Sequence, residues 1–478
     1  MRRRLRSLVT AVVAASIAAT GCTSGGSTSP GPALSEAEAV SAYGYGPIKD
    51  PDTTYHPDVV ALPDGPRAIR GVSADRMVWI LDGGAKGVAD LARGKVLFAS
   101  SDALGRVLRM ERRGANVAVT LAPVALTEVV SEAHLSLDQR VGLDALEFRE
   151  VPDLPGAILD TPTDTLNSKQ TATGAAAHAV AGARRSRIEL VADRSLVQAA
   201  DAVERSKKVG NWMLTAFRGP ETIGIRGERT AGGGGLKVNF EAHVEARELR
   251  VKADVPITRG VVGTSHFQVD GITGLAVSIS AGAGNGLSDN RSVKLELPVT
   301  LTQRVIIGGL PATLTQKLKF LLRTAFTAKN GNLSASASWA LDGPLGFDGT
   351  TLTTPTMTER DSLIESIAGV SVGVNGLVYG VAFEFGLLVG LPVAGAGPVA
   401  SFITSIGITN GSDLGIVKCR QSSLTSNLTG GVGLSVYDPV KQALKRLWGI
   451  DVPAQKTLIT KTILQESWYD PKIVACRP

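Results

Sequence analysis

The chain is poor in the residues that most often carry chemistry. It holds 3 Cys, 5 His, 11 Phe, 6 Tyr and 5 Trp in 478 residues. The histidines, His56, His134, His178, His243 and His266, never fall in a His-x-His or His-x-x-x-His spacing, so no zinc signature exists. His243 belongs to the polar side of a strand pattern and is expected to be exposed. No calcium-loop spacing and no phosphate loop occur. Gly369-Val370-Ser371-Val372-Gly373 has the letters of a nucleophile elbow, but that motif needs a strand, a sharp turn and then a helix. Here Asn375-Gly376 and another strand pattern follow, so no role is given to Ser371. No catalytic residue, metal ligand or cofactor site is assigned, and the chain is read as a non-enzyme.

Charge of one sign is also scarce, once its position is considered. The formal charge is +6, but Arg2, Arg3, Arg4 and Arg6 supply four of the 50 basic side chains. Without them 46 basic groups face 44 acidic ones, a balance near +2. No Lys/Arg block remains for nucleic acid or for a polybasic membrane patch.

The N-terminus is distinctive. After the four arginines, Leu8 to Ala19 form a short apolar run, and Ala19, Thr20, Gly21 and Cys22 follow. A cationic start, an apolar core and small residues before a cut site are the parts of a secretory signal. The run is too short to span a bilayer, which needs about 20 residues. The quartet ending in Cys22 resembles the lipobox of bacterial lipoproteins, with Ala19 where that family most often has Leu. The resemblance covers only the first 22 residues. It implies a diacylglycerylated Cys22 as the new N-terminus and a membrane partner through that anchor. Two acyl chains anchor stably, because each buried CH₂ contributes about 0.8 kcal/mol. Thr23 to Pro32 carry no charge and read as a flexible tether. The expected location is the outer face of the cell membrane. Two cysteines then remain, Cys419 and Cys476. An exported protein can oxidise them, closing a loop that stabilises by roughly 4 kcal/mol in the chain-entropy view.

Gly, Val, Thr, Ser and Ala dominate the rest, a profile of β structure with short loops. The expected class is mainly β: a small N-terminal β barrel or roll plus a large antiparallel domain of long amphipathic strands, with few short helices. The expected divisions are a signal over 1–21, a lipidated tether and irregular lead-in over 22–66, a small β domain over 67–150, a linker with one amphipathic helix over 151–230, and the large β domain over 231–478. Breakers such as Gly46-Pro47 and Asp50-Pro51 make the lead-in irregular. The helix in the linker is expected over Leu196 to Val209, where Glu204 and Lys208 form an i, i+4 pair.

In the small domain, Met77 to Leu81, Lys95 to Ala99, Arg106 to Glu111 and Asn116 to Leu121 read as short strands. The phrase Asp90-Leu91-Ala92-Arg93-Gly94-Lys95-Val96-Leu97, then Gly105-Arg106-Val107-Leu108 and Leu126-Thr127-Glu128-Val129, resembles a small β module common in bacterial exported proteins. That resemblance implies a fold and a location and no activity.

The large domain is written in period two. Leu236, Val238, Phe240, Ala242, Val244 and Ala246 alternate with polar residues, the phase slips at Arg247-Glu248, and Leu249, Val251, Ala253 and Val255 resume it. A one-residue slip turns the apolar face outward unless a bulge absorbs it, so a bulge is expected at 247–248. Alternation returns at Val293 to Thr302, Leu314 to Phe326 (interrupted by Gln316 and Thr324), Leu333 to Leu341 and Leu377 to Leu391. Leu377 to Ala400 carries one charge, Glu384, yet its glycines, Pro392 and strict alternation describe a strand and not a membrane helix. If residues 236–408 form one sheet, apolar positions 238, 240, 244, 295, 297, 320, 339, 383 and 385 share one face. Asp438-Pro439 starts a helix that Gly449 ends, and Thr457 to Glu466 form a last strand.

Function is read at the level of class. Strands of this kind can curve around an acyl chain or another apolar ligand, making a binding or envelope-organising lipoprotein. The same alternation also fits a purely structural or adhesive surface module with no ligand. An envelope hydrolase without a local motif is a third reading.

Overall fold

The computed structural model describes residues 32–73, 76–143, 146–149, 161–163, 203–209, 211–229, 236–283, 292–326, 331–369, 375–391, 394–411, 417–436, 445 and 458–476. Within them the protein is mainly β, built from a small mixed sheet and two large antiparallel sheets.

The small sheet runs Val59–Ala61, Val96–Phe98, Leu104–Arg113, Asn116–Ala122, Val78–Asp82 and Ile69–Val72 in spatial order. Its first pair is parallel and the others antiparallel. Val59–Ala61 and Ile69–Val72 are its two edges, so this unit is an open sheet and not a closed barrel. Trp79, Leu81, Leu97, Val119 and Leu121 fill its core. The lead-in before it is more ordered than its breakers suggest. Glu36–Tyr43 is a helix, because Ser35 and Glu38 form a reciprocal capping box that satisfies the first free backbone N–H groups.

The broad sheet contains 12 strands. Its main path is Val203–Val209, Trp212–Arg218, Thr222–Arg229, Leu236–Thr258, His266–Ala283, Asn332–Asp342 and Thr356–Asp361. Two expected boundaries therefore move. Val130–Arg140, assigned above to the small domain, pairs with the second half of Leu236–Thr258. Residues 203–229, assigned to the linker, are three more strands of the same sheet. Val203–Val209 is a strand where a helix was expected, since Trp212–Arg218 offers it a full ladder of backbone partners. Residues 203–208 are exposed, and Arg205, Lys207 and Lys208 sit where charged side chains discourage edge-to-edge pairing. The rest of that expected helix, 196–202, lies outside the described residues.

The second large sheet has 8 strands. Its path is Thr161–Thr163, Ser292–Ile307, Leu310–Phe326, Asn375–Leu391, Ala394–Gly411, Cys419–Val436 and Ile459–Asp470. The apolar run is thus the hairpin Asn375–Leu391 and Ala394–Gly411, paired from Asn375↔Asn410 to Leu391↔Ala394. Among the described residues no helix is long and apolar enough to cross a membrane. The helix expected from Asp438 lies outside the described residues except at Lys445, which is helical.

Residues 236–408 therefore form two sheets, not one. The expected shared face survives in another form, because the sheets lie face to face and bury it between them. Val238, Phe240, Val244, Phe320, Trp339, Phe383 and Phe385 belong to one core. The side chains of Leu295 and Leu297 lie outside the described residues. Alternation forces this packing: each sheet has one apolar face, and only another apolar face can cover it.

The bulge stands where the phase slips. Glu245 pairs with Gly274, Ala246 with Ile272 and Arg250 with Asp270, so the longer strand carries extra residues at 247–249. Glu248 takes a positive φ of 50°. Ala246 and Leu249 are both buried while Arg247 and Glu248 are exposed, so the bulge keeps both halves of the strand facing the core.

Candidate functional site: the interior between the two sheets

The hairpin turn at Gly308–Gly309 marks one end of the sandwich, and the small sheet closes it. Phe98 and Leu104 join the large core there, and Tyr55 packs edge-on against Phe98. Thr53 Oγ1 donates to the Gly308 carbonyl. Asp102, 1% exposed, lies 3.3 Å from Arg304 Nη2 and 3.7 Å from Arg76 Nη1. At the other end the short helix Leu363–Ser366 covers the core with Leu363 and Ile367. Near that end Cys419 and Cys476 are bonded, with Cα atoms 5.2 Å apart. Gln421 Nε2 donates to the Cys476 carbonyl and holds the C-terminal segment against its strand.

Between these ends the interior is apolar, with Phe240 and Phe320 stacked across it at 3.8 Å. Several polar groups interrupt it. On Asn375–Leu391, odd-numbered residues face inward, which brings Tyr379 into the core between Leu322 and Ile406 of the neighbouring strands. Ser422 faces inward beside Ile408, and Asn375 lies in the next row beside Asn410. Gln316 lies further along, beside Phe385. Thr404 and Ser426 bond to each other at 3.1 Å. By contrast Tyr379 Oη, Ser422 Oγ, Gln316 Oε1 and both amide atoms of Asn375 are buried with no hydrogen-bond partner in the protein.

Those groups are unusual. A buried polar atom without a partner costs about 1–3 kcal/mol, so native cores pair nearly all of them. Burial alone pushes the Tyr379 phenol far above its usual range, so it stays neutral and able to donate. The buried ionisable side chains among the described residues other than the tyrosines are Asp102 and His243, and neither lies between the sheets.

His243 is a correction to the sequence expectation. It sits on the outer face as expected, but it is 3% exposed. Gly224 is its neighbour on the next strand, and a side chain there would meet both Phe217 and His243 Cβ. The glycine lets Phe217 lean over the imidazole, whose Nδ1 lies 3.4 Å from Glu241. His134 and His266 pair separately with Asp254 and Asp348, and among the described residues no three His, Cys, Asp or Glu side chains gather as metal ligands.

Cys22 and Ser371 lie outside the described residues. The inward polar groups were only partly legible beforehand. Gln316 broke the dry side of its strand, which was a signal. Tyr379 read as one more large apolar residue, and Asn375 and Ser422 had no pattern to mark them.

Residues 194–462, more than half of the chain, match DUF8402, described as a domain of unknown function. The chain belongs to the DUF8402 family. Residues 39–132 match a second domain of unknown function, DUF8403, which takes in the second half of the helix Glu36–Tyr43, the small sheet and the start of Val130–Arg140. The DUF8402 match begins before Val203–Val209, in keeping with the strands of 203–229 belonging to the large domain. No curated protein and no solved structure matches.

Proposed function

We propose that this protein is an exported cell-envelope lipoprotein, anchored to the outer face of the membrane through Cys22, whose sandwich holds a lipid or another apolar ligand. The observation that carries the binding reading is Tyr379 Oη, fully buried among apolar side chains and unpaired. A core evolved only for packing would place Phe there, whereas a bound molecule can supply the missing partner. The anchor reading rests on the four arginines, the short apolar run and Cys22. A tethered holder suits insoluble cargo, because the tether keeps the interior near the bilayer. No catalytic role is assigned.

The test has two arms. An organic extract of protein purified from its native membrane, analysed by mass spectrometry, should contain a stoichiometric apolar compound. Cys22→Ser should move the protein from the membrane to the aqueous fraction. A clean extract removes the holding function, and a membrane-bound mutant removes the anchor.

A second reading is a structural or adhesive module with a fully packed core. The Phe240–Phe320 stack favours it, since two rings in van der Waals contact leave no room for a ligand at that point. The extract separates the two.

A further inference from the structure

Resting on the holding function above, we infer that the cargo is a neutral amphiphile, of the acylglycerol or uncharged glycolipid class, with its head group at the end of the sandwich closed by Leu363–Ser366. The inference starts from where the unpaired groups lie. Inward-facing rows of a sheet are about 6.8 Å apart and strands about 4.8 Å apart. Asn375 and Tyr379 are two rows apart on one strand, and Ser422 lies two strands away in the row between them. The three thus fall within about 14 Å of one another at the backbone. They are three unpaired polar groups toward one end of an interior that is otherwise largely apolar, with Gln316 further along it, and a head group at that end would meet all three.

The chemistry of the patch sets the head group. Tyr379 and Ser422 offer hydroxyls, and Asn375 offers a carbonyl and an amide. Each hydroxyl and the amide can both donate and accept, which matches hydroxyl and ester groups. A carboxylate or phosphate placed there would be a buried charge that must find a cation. The row of Asn375 ends at Arg420, but that side chain is 43% exposed at the rim and faces Asp470 at 4.0 Å. The pair is neutral overall, so it gives an anion no net attraction. An uncharged head avoids this penalty and satisfies the same atoms.

The test uses the full-length protein, stripped of lipid, and pyrene-labelled dioleoylglycerol as probe. Unlabelled dioleoylglycerol, dioleoylphosphatidylglycerol and oleate compete for it. The expected result is displacement by dioleoylglycerol at a concentration about tenfold below that for either anion, the size of one lost charge-free hydrogen-bond set. Tyr379→Phe and Ser422→Ala should each weaken probe binding by about three- to tenfold with the unfolding midpoint no lower than wild type. Using both variants covers the case in which one fails to fold. Equal or better displacement by the anions overturns the neutral head while leaving the holding function intact. Unchanged binding in both variants overturns the assignment of the patch, leaving water as the partner of those atoms. Failure to take up any probe, with a clean native extract, removes the holding function itself.

Discussion

Phe240 and Phe320 lie face to face, ring centroids 3.8 Å apart and planes 5° from parallel, one from each large sheet. Their contact fixes how closely the sheets approach at that point. Phe383 shares the same core on the strand next to that of Phe320, beside Leu318. The two sites should respond differently to truncation. Phe320→Ala removes a ring wedged against another and should cost about 3–5 kcal/mol. Phe383→Ala should cost clearly less in lipid-free protein and should change the set of compounds extracted. Chemical denaturation and mass spectrometry on both variants check this. Equal large losses with nothing extractable would leave the structural reading in possession.

Gly271 holds the bulge in place. Its φ is +90°, and a Cβ there would stand 2.3 Å from the Arg247 carbonyl oxygen. Gly271→Ala therefore meets both a strained backbone and a backbone clash, and should destabilise by at least about 2 kcal/mol. Gly380→Ala is the control, since its nearest neighbour would be 3.7 Å away. Comparable midpoints for the two variants would contradict this role for Gly271.

The disulfide closes a loop with 57 residues of sequence separation. Breaking it with Cys476→Ser should lower stability by up to about 4 kcal/mol, since the unfolded chain regains the freedom that closure removed. Peptide mapping without reductant should find Cys419 linked to Cys476 in protein isolated from its native cells. Free thiols at both positions would mean that the pair is not oxidised in the cell.

Tyr379 also predicts an alkaline transition. Burial raises its phenol, and burial raises those of Tyr43 and Tyr55 too. A folded value above the unfolded one means that folding favours the neutral form. Its contribution is complete below the unfolded value of about 10 and is lost as pH rises beyond it, because the unfolded phenol ionises first. Denaturation from pH 8 to pH 11.5 should show stability falling at the alkaline end, less steeply in Tyr379→Phe. An identical slope in the variant would mean that Tyr379 ionises as freely in the folded protein as in the unfolded one.

Period-two alternation and one phase slip were enough to read strands, their buried faces and the bulge at Arg247-Glu248. These are local properties: a strand sends successive side chains to opposite sides, so the pattern of one segment states its own two faces. The same logic read the run with a single charge over Leu377 to Ala400 as strand and not helix, while its division into two strands of a hairpin came from the structure. The capping box at Ser35 and Glu38 was equally local, but the surrounding breakers obscured it.

Other features depended on partners distant in the chain. Whether Val203–Val209 is helix or strand was decided by the ladder that Trp212–Arg218 offers, which outweighs one i, i+4 charge pair. That the apolar faces belong to two sheets, and not one, follows from which strands pair, and alternation is blind to pairing. His243 kept its predicted face but lost its exposure, because Phe217 and Gly224 on neighbouring strands bury it. The polar patch is the clearest case. Asn375, Tyr379 and Ser422 are each ordinary in their own strands, and only the register of three strands gathers them. The sequence by itself determined each strand and its two faces, because side-chain direction is set by the local backbone. The tertiary structure alone decided what each face meets, because burial and hydrogen bonding are relations between segments.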